Sequence, residues 1–270
     1  MPEQTITLIR RVFRFPVLGR LWRYIVAVII YSVFVVLIAQ QVVLLDAGVD
    51  RTGEAAIAGV LFGWLMGFRT QTAYARWWDG RSLWGQLVND SRNLMLKATT
   101  YVHDPIDQAK LASAITRFAE ELRDHLRRPI KSPGPHRPML VADEIFRLIR
   151  GWNESGQIDG YTFLTLDQHA QQLMNVCGAC EKIRSAPFPA SYSALLRKGI
   201  VGYLLFLPWM MTDEHGWLTV PVTVMVAYAV VGLELIASGM DDPFGFDGDD
   251  LPIDDIVETI RRATAGRVVE

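Results

Sequence analysis

One almost continuously apolar segment, residues 21–43, most constrains the fold of this chain. Its length matches the hydrocarbon core of a lipid bilayer, which is about 30 Å thick. A helix of this length inside a soluble protein normally shows a polar face. This segment carries only Arg23 at its start and Gln40 and Gln41 near its end as charged or amide residues. It therefore predicts a first transmembrane helix.

Three further apolar segments are predicted to cross the membrane, at residues 55–78, 199–211 and 218–240. Residues 82–197 contain no run long and apolar enough to span, and their periodicity predicts amphipathic helices outside the membrane. Arginines precede the first segment and follow the apolar half of the second, so the positive-inside rule places both termini in the cytoplasm. The predicted fold class is an all-α membrane protein with four transmembrane helices, a large cytoplasmic helical region and an acidic C-terminal segment, residues 241–270.

Composition and motifs argue against several classes of protein. The formal net charge of -2 gives no basic excess for binding nucleic acid. Cys177 and Cys180 form a single C-x-x-C with no second pair, which predicts buried free thiols rather than a zinc or redox site. No nucleotide loop, Ser-His-Asp grouping or H-E-x-x-H is present, so we expect neither an enzyme nor a required cofactor. Four scattered histidines show no metal spacing and are predicted to be solvated or hydrogen-bonded: His103, His125, His136 and His169.

Two stripes run along the apolar half of the second segment at four-residue spacing, which places each stripe on one face of a helix. The first stripe has no side chains and consists of Gly59, Gly63 and Gly67. The second is bulky and apolar and consists of Val60, Trp64 and Phe68. A glycine stripe lets the backbone of another helix approach closely, as in membrane proteins. From spacing alone, ordinary helix-packing faces are the favoured interpretation of both stripes.

The third and fourth segments carry polar residues that need an explanation in a membrane. Pro208 is predicted to kink the third segment. An acidic outer turn is predicted at Asp213, Glu214 and His215. Glu234 lies toward the inner end of the fourth segment, where an ionisable side chain is a functional candidate. A position at the level of the headgroups and a pairing with an arginine are the two alternatives for this glutamate.

The polar run after the two stripes resembles the signature of the bestrophin family of ion channels. The matching residues are Arg76, Trp77, Trp78, Arg81 and Trp84. A second match is the sequence Asp242-Pro243-Phe244-Gly245 near the C-terminus. The resemblance covers nearly the whole chain and implies a single bestrophin-like domain over residues 1–270.

This resemblance implies a homopentameric channel in the inner (plasma) membrane, with one pore for small monovalent ions on its symmetry axis. Animal bestrophins pass chloride and other anions, and a preference for sodium or other cations stays open for a bacterial member. The resemblance further implies that Val60, Trp64 and Phe68 form a hydrophobic pore neck that gates by dewetting. It makes Ile183 the candidate for a cytoplasmic aperture, with packing in a helical core as the alternative.

The acidic tail raises the question of calcium, because Asp247 and Asp250 stand where animal bestrophins place ligands of a calcium clasp. Carboxylate clusters suit hard cations of this kind. Phe246 and Gly248, however, interrupt the acidic run that the animal members have. The alternative is a solvated acidic turn that caps the helix after it.

Two other classes of protein remain open from sequence. A non-conducting membrane scaffold or signalling protein would use the glycine stripe only to pack helices. A transporter is the second, and against it the sequence shows no inverted repeat and no paired broken helices.

Overall fold

The computed structural model describes residues 16–41, 52–129, 134–186 and 189–265, and the regular structure of these residues is entirely helical. The N-terminal arginines before residue 16 and residues 42–51, between the first two predicted segments, lie outside the described residues. The α-helices, in chain order, are α1 (Pro16–Gln41), α2 (Thr52–Tyr101), α3 (Pro105–Arg127), α4 (Arg137–Glu154), α5 (Gly160–Ser185), α6 (Ala190–His215), α7 (Thr219–Met240) and α8 (Ile253–Ala265).

The chain divides into two compact units. The first unit contains α1, the part of α2 up to Ala75, α6 and α7. The second unit contains α2 from Arg76 onward, α3, α4, α5 and α8. The assignment of residues 1–270 to one domain stays a prediction.

The surface of the first unit is that of a membrane protein. Helix α1 packs against α6 and α7, and the hydroxyl of Tyr31 donates a hydrogen bond of 2.8 Å to the carbonyl of Leu205. Large apolar side chains nevertheless remain exposed on the same helices, among them Ile30, Phe206 and Met225. An apolar surface of this extent is stable against lipid rather than water.

Two stretches of the described helices are long and apolar enough to cross a membrane, Gly19–Gln40 and Ala190–Met240. The second stretch contains both α6 and α7. Helix α2 is not one of these stretches, because its apolar run at residues 55–68 is short and polar residues follow it directly from Arg69. The chain is thus an all-α membrane protein, and the number of four crossings stays a prediction.

Helix α2 extends well beyond the segment predicted at residues 55–78. It is one helix of 50 residues that ends at Tyr101, so the change from apolar to polar sequence at Arg69 marks no helix end. No proline interrupts it, and most of the polar residues after Arg69 are compatible with a helix. The first part of the region predicted at 82–197 is therefore a continuation of α2.

Helix α6 is also longer than the predicted segment at residues 199–211. It begins at Ala190 and continues through Pro208 to His215. The prediction of an outer turn at residues 213–215 is wrong, because these residues form the last turn of α6. A 3-10 helix follows instead at Gly216–Leu218, where Gly216 adopts a positive φ of 49° that glycine tolerates.

The second unit is held together by amphipathic helices around a large apolar core. Helix α3 contributes one buried face at helical spacing, which includes Leu111, Ile115 and Phe118. Its N-terminus is capped by Asp104, whose side chain accepts a hydrogen bond of 2.9 Å from the backbone N–H of Ile106. Helices α4 and α8 pack against α3 and supply further faces of this core.

The two cysteines lie on α5 inside this core, as predicted for buried free thiols. Burial raises the pKa of Cys177 to about 12, and the carboxylate of Glu181 contributes in the same direction. Burial also raises the pKa of Cys180. Both thiols are therefore protonated at neutral pH and unreactive, since the thiolate is the reactive form.

Candidate functional site

The bulky stripe on α2 is exposed in the isolated subunit. Val60, Trp64 and Phe68 are 73%, 63% and 51% exposed, although all three are large and apolar. The rings of Trp64 and Phe68 contact each other edge to face, with their centroids 4.6 Å apart. They form a continuous apolar strip that no described part of the chain covers. The role of this strip as a pore neck stays a prediction.

The opposite face of α2 is buried within the first unit. Met66 and Ala73 are buried there, and the side chain of Arg69 on the same face is fully buried. Successive residues of an α-helix are rotated by about 100°, so Met66 lies about 200° around the helix from Trp64. The face that carries Arg69 therefore faces the inside of the unit while the bulky stripe faces out.

Arg69 fixes this orientation through ion pairs with α7 and the residue that follows it. Both terminal nitrogens of its guanidinium bind the carboxylate of Asp241, and the Nη1–Oδ1 distance is 2.9 Å. Its Nε atom lies 3.5 Å from Oε2 of Glu234. The other oxygen of Glu234 accepts a hydrogen bond of 3.0 Å from Nε of Arg197 on α6. The arginine-partner alternative for Glu234 is thus confirmed, and the charged cluster explains why this glutamate is tolerated on α7.

The glycine stripe divides into two parts in the structure. A Cβ atom at Gly59 would lie 2.9 Å from the hydroxyl of Tyr203 on α6, so this glycine permits a close contact within the subunit. No described atom outside α2 lies within 4 Å of a Cβ built at Gly63 or Gly67. Among the described residues, these two glycines therefore have open space beside them.

The arginine of the signature motif binds the C-terminal end of α5. Its Nη1 atom donates to the carbonyl of Ala186 at 2.6 Å, and its Nη2 atom donates to the carbonyl of Ile183 at 2.7 Å. The last carbonyls of a helix lack partners inside the helix and carry partial negative charge. Arg76 thus ties the middle of α2 to the end of α5, a role that the sequence did not reveal.

The two signature motifs meet inside the second unit. Trp84 is fully buried in its core, and Phe244 of the second motif belongs to the same core. A Cβ atom at Gly80 would lie only 3.2 Å from the ring of Phe244 and 3.3 Å from Leu251. A larger residue at position 80 would push these two side chains away from α2 by a few tenths of an ångström. Trp77 packs against this core, whereas Trp78 and Arg81 are exposed.

The second motif forms a closed turn before α8. The backbone N–H of Leu251 donates to the carbonyl of Pro243 at 3.0 Å, and Oδ2 of Asp250 lies 2.6 Å from where a Cβ of Gly245 would be. The guanidinium of Arg127 covers the ring of Phe246 at 4.5 Å from its centroid. Calcium binding by Asp247 and Asp250 stays a prediction.

Ile183 lies near the end of α5 with its side chain partly buried. It packs against the core of the second unit, and its carbonyl is one of the two that Arg76 binds. These features agree with the core alternative and leave part of the side chain accessible. Its role as a cytoplasmic aperture stays a prediction.

Comparison with known proteins identifies the family. The family model for bacterial and fungal bestrophin proteins matches residues 2–265. A voltage-dependent anion channel-forming protein of Synechocystis is 30% identical over 229 residues, which cover 77% of this chain and 75% of that protein. A protein of the same description from Nostoc is 28% identical over 267 residues, with 91% and 86% covered.

Solved structures agree with this assignment. A bacterial bestrophin homologue from Klebsiella pneumoniae matches with a TM-score of 0.83 at 20% identity, covering 91% of this chain and 97% of that one. The chain therefore belongs to the bestrophin family and has its all-α membrane fold. The relatives are described as channel-forming proteins, which supports the prediction that the chain is not an enzyme.

Proposed function

We propose that this chain is the pore-forming subunit of a homopentameric channel that conducts small monovalent anions across the inner (plasma) membrane, with both termini in the cytoplasm. The descriptions of its relatives as anion channel-forming proteins support anions as the conducted ions. The observation that carries the proposal is the exposed apolar stripe of α2, which buried ion pairs hold facing away from its own subunit.

Five copies of α2 around one axis would turn each residue of the stripe into a ring. Trp64 and Phe68 are one helical turn apart, so their rings stack along the pore. A narrow apolar ring loses its water and blocks ions, and a slightly wider one lets them pass with part of their hydration shell. The neck therefore gates by its width.

The glycine stripe fits contacts between neighbouring subunits in this arrangement. Gly63 and Gly67 each precede a residue of the bulky stripe, which rotates them by about 100° to its side. A neighbouring α2 helix would approach from that side, and both positions are open in the single chain. Small residues at a helix contact permit the close approach that a tight ring of helices needs.

Charged side chains in the neck do not determine whether the channel selects anions or cations, because the stripe contains no ionisable residue. Conduction of cations is the alternative that a direct measurement separates from our proposal. Purified protein in a planar bilayer is exposed to a tenfold gradient of sodium chloride. For an ideally selective channel the reversal potential is about 59 mV in magnitude, and its sign distinguishes chloride from sodium. A reversal potential at the sodium value would contradict anion conduction.

The oligomeric state is tested separately by native mass spectrometry of the detergent-solubilised protein. We expect a complex of five chains. A monomer would remove the pore, since one helix per subunit cannot enclose one. A stable pentamer that carries no current under any voltage would favour the non-conducting scaffold, and coupled transport of a second solute would favour the transporter.

A further inference from the structure

Two histidines and one glutamate from separate elements meet in the second unit. His125 lies in the last turn of α3, His136 directly precedes α4, and Glu181 lies on α5. The Nε2 atoms of His125 and His136 lie 2.6 Å and 2.7 Å from the same oxygen, Oε1 of Glu181. All three potential ligand atoms lie within 4.8 Å of one another, a grouping found nowhere else among the described residues.

We propose that His125, His136 and Glu181 bind a divalent transition-metal ion, with zinc as the preferred ion and water in the remaining position. Two imidazole nitrogens and one carboxylate oxygen form a donor set that zinc uses in proteins when one position stays open. Calcium and magnesium prefer oxygen ligands alone, so this site differs in chemistry from the acidic turn before α8.

The site is reachable from solvent. The side chains of His125, His136 and Glu181 are 24%, 33% and 35% exposed, so an ion with attached water can enter without unfolding the unit. The rings of the two histidines are already close, with their centroids 4.7 Å apart. Zinc bonds of about 2.0–2.2 Å in tetrahedral geometry place neighbouring ligand atoms about 3.3 Å apart. Each nitrogen–oxygen distance therefore lengthens by less than 1 Å when the ion enters.

The hydrogens of the metal-free site follow from its hydrogen bonds. A carboxylate oxygen only accepts hydrogen bonds, so both Nε2 atoms carry a hydrogen that points to Glu181. His136 also accepts a hydrogen bond of 3.1 Å at Nδ1 from the backbone N–H of Met139, which leaves this ring neutral with its hydrogen on Nε2. The ion takes the place of both Nε2 hydrogens. In a neutral ring that hydrogen moves through water to Nδ1, so His136 gives up its bond to Met139.

His136 would thus have two separate roles, as a cap of α4 without the ion and as a ligand when the ion is bound, and one substitution can distinguish them. His136 caps the N-terminus of α4 in the metal-free chain. Asparagine is one of the preferred residues at this N-cap position. His136→Asn therefore keeps the cap and removes the imidazole ligand. His103→Asn is the matched control, because His103 is an exposed histidine outside the site.

The test is zinc titration by isothermal calorimetry on the purified full-length channel, after chelation and removal of any histidine tag. We expect one zinc ion per chain, with at least tenfold weaker binding in His136→Asn and Glu181→Gln and unchanged binding in His103→Asn. Cobalt added to the unmodified protein should give the visible absorption of a tetrahedral site. Absence of zinc binding, or equal affinity in all variants that retain a folded elution profile, overturns the proposal.

Discussion

Substitution of Arg69 by methionine tests whether buried ion pairs fix the rotation of α2. The guanidinium is fully buried, whereas the side chains of Glu234 and Asp241 are 9% and 26% exposed. Removing one member of a buried ion pair costs about 3–5 kcal/mol, because the remaining charge is left desolvated. Glu234 keeps Arg197 as a partner, and Asp241 is partly hydrated, so we expect the lower end of this range, about 3 kcal/mol.

The assay is a denaturant titration in detergent micelles at fixed protein concentration, followed by tryptophan fluorescence. A loss of about 3 kcal/mol shifts the folding equilibrium by roughly a hundredfold. Arg69→Lys keeps the charge but loses the bidentate contact with Asp241, so it should cost less. The double variant Arg69→Met with Asp241→Leu should recover part of the loss, because an apolar replacement of both partners removes the desolvated charge.

A surface arginine supplies the matched control. The side chain of Arg147 is 78% exposed and pairs with Asp143 on the same helix. Arg147→Met should change the unfolding free energy by less than about 0.5 kcal/mol. If Arg69→Met is as harmless as Arg147→Met, the pairs with Glu234 and Asp241 do not hold α2, and the outward orientation of its stripe needs another cause.

Four further predictions follow from individual contacts. Gly63→Leu should leave the folded subunit intact, because a side chain at this position meets no described atom of the same chain. In the proposed pentamer it would meet the neighbouring α2 helix, so the pentamer fraction in native mass spectrometry should fall. An unchanged pentamer fraction would place the subunit contacts elsewhere. Arg76→Ala should lower stability by about 2 kcal/mol through loss of its two carbonyl bonds, measured by denaturant titration. Chelation of calcium should leave open probability unchanged, and a micromolar calcium response abolished by Asp247→Asn with Asp250→Asn would show that the site exists. Since burial raises the pKa of Cys177 from 9.0 to about 12, its contribution to stability is present below pH 9 and is lost as the pH rises toward 12. Cys177→Ala should reduce that alkaline loss in unfolding titrations at pH 8 and 10.

Local sequence patterns predicted the position of α1 and the faces of α2, because both features depend on residues that are close together in the sequence. The apolar run at residues 21–43 marked α1, and the four-residue spacing of Trp64 and Phe68 placed their side chains on one face of α2. The helix bounds were less accurate where composition changed inside one helix. Arg69 begins a polar stretch without ending α2, since most of the polar residues that follow are compatible with a helix.

Contacts between distant residues were beyond the reach of these patterns. Arg69 and Asp241 are separated by 172 positions, and no local rule indicates which acid a buried arginine binds. The four histidines showed no metal spacing because such spacing describes ligands on one element. His125, His136 and Glu181 come together only when α3, α5 and the residue before α4 pack against one another.

Single-channel recording of neck variants tests most directly the central claim that α2 lines a conducting pore. The unmodified protein is compared in planar bilayers with Trp64→Ala and Phe68→Ala, each of which removes one predicted ring. Phe62→Ala is the control, because Phe62 lies on the same helix but stacks on Tyr203 within the subunit. We predict that both neck variants raise conductance or open probability, that their combination raises it further, and that Phe62→Ala does not. Unchanged currents in both neck variants would mean that this stripe faces lipid or another helix and that the pore lies elsewhere.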